Sequence, residues 1–195
     1  MEFVSLSQFL PELISVAIIA IFMAISPGAD FVLITRNSIF YSRTAGLYSA
    51  IGISCAIWLH VAYTIAGLAL IIANSIWLFS IIKYCGAAYL IYLGIKSFKS
   101  SSDLTIEKQT DTISNIQAFK IGFITNALNP KTTIFFLSIF TQVVDQNTPI
   151  QIQLIYGAII SLAHLAWFSC VALFLTQPRL LKQFTQHKSN IEKLV

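Results

Sequence analysis

Ser26-Pro27-Gly28-Ala29-Asp30 cuts through an apolar run that otherwise reads as one helix over residues 13–35. A second stretch, Asn129-Pro130-Lys131, does the same to the run over 119–143. Each break combines a proline, polar backbone freed from the helix ladder and one charged side chain. Freed backbone groups cost several kcal/mol in hydrocarbon, where no water is available to them. A charged residue at the centre of a spanning helix adds about 2.5–3.5 kcal/mol on the insertion scale. Two such breaks in corresponding places point to a polar binding site inside a membrane protein.

The composition of the chain agrees. Of its 195 residues 56% are hydrophobic and only 10% are charged, against about 25% charged in soluble domains. Five segments, near 13–35, 45–73, 76–96, 119–143 and 152–176, reach the roughly 20 residues that cross a bilayer as a helix. They are too long for barrel strands and do not alternate. The expected fold class is therefore all-α, a polytopic transmembrane bundle of five spans. The net charge of +4 does not indicate nucleic acid, because the basic residues sit between apolar runs rather than along one face.

Their distribution fixes an expected orientation. Arg36 and Arg43 follow the first span, Lys96, Lys99, Lys108 and Lys120 separate the third from the fourth, and Arg179, Lys182, Lys188 and Lys193 follow the fifth. The N-terminal tail, the 74–75 turn and the 144–151 loop carry no Lys or Arg. The positive-inside rule places the N-terminus outside and the C-terminus in the cytoplasm. A reporter active only in the cytoplasm should work at Ser101 or after Val195 and fail at Asn74 or Asn147. A cytoplasmic signal at Asn147 would overturn this orientation.

The polar stretch 97–117 reads as a cytoplasmic linker between a first half, 1–96, and an incomplete second half, 118–195, of one transmembrane domain. The halves echo each other: Pro27 is matched by Pro130, and His60 by His164. Three spans before the linker put the second copy in the opposite orientation, as 3+2 of an expected 3+3 inverted repeat.

Asp30 is the only carboxylate within the expected spans, placed either to hold a substrate ammonium or a coupling proton or to cap the helix restarted after Pro27-Gly28. Lys131 lies about 17 Å past the expected cytoplasmic edge, too deep to snorkel easily, and needs a partner: a substrate carboxylate or Asp30 itself. Asn126 and Asn129 can satisfy freed backbone or bind a polar ligand. His60 and His164 are either interhelical hydrogen-bonders or a proton relay. Asp30, His60 and His164 together also admit a divalent-metal efflux reading, provided they converge. Gly46, Gly52, Ala56, Gly86 and Gly94 suit close helix approach. Cys55, Cys85 and Cys170 lack metal or redox spacing, and the first run lacks the basic flank of a cleaved signal peptide. No nucleotide-binding motif and no nucleophile–base pair is visible, so neither cofactor nor catalytic residues are expected.

Pro27-Gly28-Ala29-Asp30 resembles the first-helix motif of the LysE/RhtB family of bacterial amino-acid exporters. Arg43-Thr44-Ala45-Gly46, Gly52, the run Gly86–Gly94, Phe119, Gly122, Asn126, Asn129-Pro130-Lys131 and Phe135-Phe136 are similar to the family pattern in order and spacing. The resemblance spans roughly residues 10–180. It implies export of an amino acid or close derivative (threonine, homoserine, homoserine lactone or lysine-like) across the bacterial inner membrane, driven by an ion gradient. The partners it implies are that small-molecule substrate and the lipid bilayer, with a homo-oligomer left open. Ala29 stands where the family often has a second proline. Family members usually carry a sixth helix, whose start Asn190-Ile191-Glu192-Lys193 resembles. The sequence therefore also admits an inactive, truncated member, or a five-span chain that transports poorly alone.

Overall fold

The computed structural model describes residues 6–99, 113–145 and 148–175, and among them every regular element is helical. A 3-10 turn, Leu6–Phe9, leads into α1 (Leu10–Ile25), which Pro11 starts at a position where its missing N–H costs nothing. After the first break come α2 (Ala29–Arg36) and a π-helical turn, Asn37–Tyr41. The long helices α3 (Arg43–Asn74) and α4 (Ile76–Lys99) follow. The Ser42 hydroxyl accepts from Ala45 N (3.0 Å) and the Ser75 hydroxyl from Leu78 N (3.1 Å), so each helix starts on a serine cap.

Beyond the linker, α5 (Asn115–Ala127) starts on a reciprocal Ser114–Gln117 capping box. The second break separates it from α6 (Pro130–Val143), and α7 is Ile150–Leu175. The five expected spans thus appear as α1–α2, α3, α4, α5–α6 and α7, two of them broken at the prolines. Among the described residues three stretches are unbroken, long and apolar enough to cross a membrane by themselves: Ser7–Ile25, Arg43–Gly67 and Ile150–Phe174. Within α4 a shorter apolar stretch runs over Trp77–Tyr92. Most of the 97–117 linker, Asn147, the last four basic residues and Asn190–Lys193 lie outside the described residues.

Polarity is arranged inside out. On α1 the residues Leu10, Ile14, Ile18, Ile21, Phe22 and Ile25 form an exposed apolar stripe, while Val16, Ala20, Met23 and Ala24 face the bundle. The interior meanwhile holds Asp30, Asn37, Ser49, Ser54, His60, Asn126, Asn129, Thr132, Ser161 and His164, all buried. A soluble domain would reverse both faces; in lipid the arrangement leaves apolar side chains in hydrocarbon and lets polar ones find each other.

Packing brings the halves together rather than leaving them side by side. α3 lies most extensively against α5 and also against α7, α1 packs on α7, and α4 on α6. Small residues permit the closest approach. A Cβ on Gly52 would press on the backbone of Phe119 and Phe123, and one on Gly122 on the backbone of Ser49. Gly46 sits against Ser38 and Ala172, and Gly86 against Ser138. The sequence had marked Gly46, Gly52 and Gly86 for this purpose. Where α3 crosses α7, Ser54 Oγ lies 3.0 Å from Ser161 O and Ser161 Oγ lies 3.0 Å from Ser54 O. A hydrogen bond drawn in both directions across one crossing makes that contact symmetric.

Candidate functional site

The two breaks meet. Ser26 leaves α1 with extended backbone (φ −62°, ψ 123°), and Gly28, also extended, starts α2. In the other half Asn129 caps α6 through its side chain, whose Oδ1 accepts from Lys131 N at 3.0 Å. Each break then supplies partners for the charged residue of the other. Asp30 Oδ2 accepts from Asn126 Nδ2 (2.9 Å) and Asn129 Nδ2 (3.2 Å). Lys131 Nζ donates to Ser26 O (3.0 Å), Ser26 Oγ (2.9 Å) and Pro27 O (3.2 Å). Its side chain lies over Gly28, where a Cβ would stand 3.4 Å from Nζ. The freed carbonyls of the first break are thus satisfied by an ammonium. That charge-assisted bonding is the strong kind, and it needs no water in the bilayer interior.

Burial at this joint is nearly complete: Asp30 is 7% exposed, Asn129 6%, and Asn126 and Thr132 0%. Lys131 is half-buried. Asn126 Nδ2 also reaches Thr132 Oγ1 at 3.4 Å. Two acceptors in the cluster have no hydrogen-bond partner among the described residues: Asp30 Oδ1 and Asn126 Oδ1. Buried acceptors of this kind are costly and mark strain, a bound water or ion, or a ligand's place.

Two expectations need correction and one is refined. Asp30 stands in the first turn of α2, but no side chain caps that helix, and the carboxylate turns to the asparagines instead. Lys131 reaches the break that carries Asp30, and its ammonium donates there to Ser26 and Pro27. Asp30 is also not alone, because α1 begins earlier than expected and includes Glu12.

The histidines have separate surroundings. His60 Nε2 lies 3.0 Å from Asn126 O and therefore donates, carrying the proton on that nitrogen. Its Nδ1 is bonded to the Tyr63 hydroxyl, and its ring stacks on Phe136 (centroids 5.4 Å). His60 thus supports the end of α5 behind the site. His164 Nδ1 donates within its own helix, to Ile160 O at 2.8 Å, and its ring meets Phe168 edge-on. Among the described residues no three His, Cys, Asp or Glu side chains gather in a way that could hold a metal ion, so the convergence that the metal reading requires is absent. Ser26 and Thr132 belong to the cluster without having been singled out. Single hydroxyls are common in membrane helices and carry no spacing signal, although Ser26 adjoins Pro27 and Thr132 follows Lys131.

Comparison with known proteins agrees with this architecture. The chain is 37% identical over 160 residues to the uncharacterized membrane protein YrhP of Bacillus subtilis, covering 77% of this chain and 76% of that one. It is 29% identical over 171 residues to the threonine efflux protein of Escherichia coli K12 (86% and 83% covered). It is 35% identical over 133 residues to the leucine efflux protein of Salmonella choleraesuis (67% and 62% covered). No solved structure matches. The family model described as LysE type translocator matches residues 21–194, a span that takes in both helix breaks and the joint between them, and the chain belongs to that family.

Proposed function

We propose that this protein exports amino acids across the bacterial inner membrane, with the joint between the two breaks as the binding site. The observation that carries the reading is the pair of buried acceptors, Asp30 Oδ1 and Asn126 Oδ1, that have no donor among the described residues. A substrate ammonium brings three N–H donors and a compensating positive charge to that position. Lys131 supplies the complementary cation for the substrate carboxylate, exchanging its bonds to Ser26 and Pro27 for the ligand. The N-terminal ends of α2 and α6 open at the same breaks, and their backbone dipoles favour an anionic group. Asn129 holds both sides in register, since it donates to Asp30 while capping the helix that carries Lys131.

Transport follows from alternating access of two inverted halves about this joint. The meeting of the two proline breaks, which the repeat relates, supports that relation. So does the pairing of α1 with α7 and of α5 with α3, each the other's counterpart under the repeat. Orientation follows the basic connections, with the N-terminus outside. The relatives named for threonine and leucine efflux favour a neutral substrate. The test is efflux from loaded proteoliposomes with labelled threonine, homoserine, leucine and lysine. Saturable export of at least one supports the reading, and release of none above the empty-liposome rate refutes it.

A further inference from the structure

A second polar pair lies at the other end of α1. Glu12 Oε2 and the Tyr156 hydroxyl are both buried, and neither has a hydrogen-bond partner among the described residues. Tyr156 is 0% exposed, surrounded by the apolar cluster that contains Val16, Phe140, Ile152 and Ile160. Glu12 comes from α1 and Tyr156 from α7, two helices that pack together, and Leu13 and Val16 beside Glu12 join the apolar cluster that encloses Tyr156. A first-turn acid complements the helix dipole. That accounts for a carboxylate on α1 but not for an oxygen withdrawn from solvent near an equally unpartnered hydroxyl.

The position of the pair gives it direction. Glu12 heads the stripe of α1 that continues through Val16, Ala20 and Met23 to Ser26, about 21 Å further at 1.5 Å per residue. Tyr156 stands on the matching stripe of α7, through Ile160 to His164. Between the two polar levels the cluster side chains Val16, Ala20, Ile139, Phe140 and Ile160 are apolar, and the nearby hydroxyls of Ser138, Thr141 and Ser161 are taken up by helix carbonyls. A zwitterion crossing that layer leaves one set of polar partners and needs another on the far side.

We infer that Glu12 and Tyr156 form a release subsite, in which the Glu12 carboxylate receives the substrate's ammonium group and the Tyr156 hydroxyl its carboxylate. The inference rests on the amino-acid exporter reading and on the orientation that puts the N-terminus outside. The site is then asymmetric in its chemistry. Departing substrate meets a carboxylate and a neutral donor rather than a carboxylate and a lysine, and is held more weakly than at the central joint.

The test uses the full chain and whichever amino acid the wild-type protein moves. Exchange is measured with labelled solute outside right-side-out vesicles and, separately, outside inverted ones. Glu12→Gln keeps size and removes the charge. It should raise the half-saturation at the outer face by about tenfold or more, the worth of a hydrogen bond to a charged group, with the inner face changed less than about threefold. Tyr156→Phe should act in the same direction. Equal changes at both faces, or none, would overturn the subsite while leaving the exporter reading intact. A wild-type protein that moves no amino acid in either preparation overturns both. Wild-type protein gives a reading without a variant: labelling of Glu12 by a water-soluble carbodiimide should slow when the transported amino acid is added outside, and an unchanged rate refutes the inference.

Discussion

Asp30→Asn is expected to lower export by about 10–100-fold, the loss of one charge-assisted contact worth about 1.5–3 kcal/mol, without preventing insertion. The amide retains an oxygen that can accept from Asn126 and Asn129, so the joint stays closed. What it lacks is the negative charge offered to an ammonium. Lys131→Gln is the complementary change: the side chain still donates to Ser26 O or Pro27 O but has no charge for a carboxylate. Export should fall at least as far, with helix content by circular dichroism and detergent melting close to wild type. Lys131→Ala, which leaves two carbonyls and a hydroxyl without their donor, should lose stability as well as export. Full export by both conservative variants would reduce the joint to a structural clasp and remove the proposed site.

Gly52→Ala should be the most damaging single-methyl change in the bundle. The added carbon would stand 2.8 Å from Phe123 N and closer still to the Phe119 carbonyl, backbone atoms that cannot rotate away. α5 must then withdraw from α3. The Ser49 hydroxyl, 3.0 Å from Ala118 O and 2.8 Å from Asn37 Nδ2, would lose its hold between α5 and the π-helical turn. Overpacking of this kind costs about 1–3 kcal/mol, or more where the backbone itself must move. Gly122→Ala makes the same test from the other side, against Ser49. Gly67→Ala, with nothing within 4 Å, is the control. A lowered detergent melting temperature for the first two and none for the third is the expected pattern; three equal results would refute the close-contact account.

The spans and both breaks were legible because a membrane makes polarity expensive. A proline or an aspartate inside an apolar run stands out in sequence as it does in hydrocarbon. Asp30, Asn126, Asn129 and Lys131 were found by that route, and the structure gathers them. Their hydrogen-bond partners were not legible, since a charge and its opposite suggest a direct pair and say nothing of the amides and carbonyls around them. Which acceptors each group reaches depends on how the backbone leaves Ser26 and resumes at Gly28. Glu12 was missed for a different reason. The apolar run was read as starting at 13, and helix ends are set by local turns such as Leu6–Phe9, not by hydropathy. The π-helical turn at Asn37–Tyr41 left no comparable trace. Its polar residues, Asn37 and Ser38, resemble a loop until the contact between Asn37 and Ser49 is seen.

The packing of α1 on α7 also bears on how the molecule is made. About 125 residues separate the end of one from the start of the other, about 6–25 s of synthesis at roughly 5–20 residues per second. During that interval α1 and α2 reside in lipid without the surface they finally cover, and Asp30 waits for amides that have yet to leave the ribosome. The first half cannot close on itself, because α3 and α4 also take their main partners, α5 and α6, from the second. Final packing therefore waits for the second half, and α1, made well before α7, is locked in place only when α7 arrives.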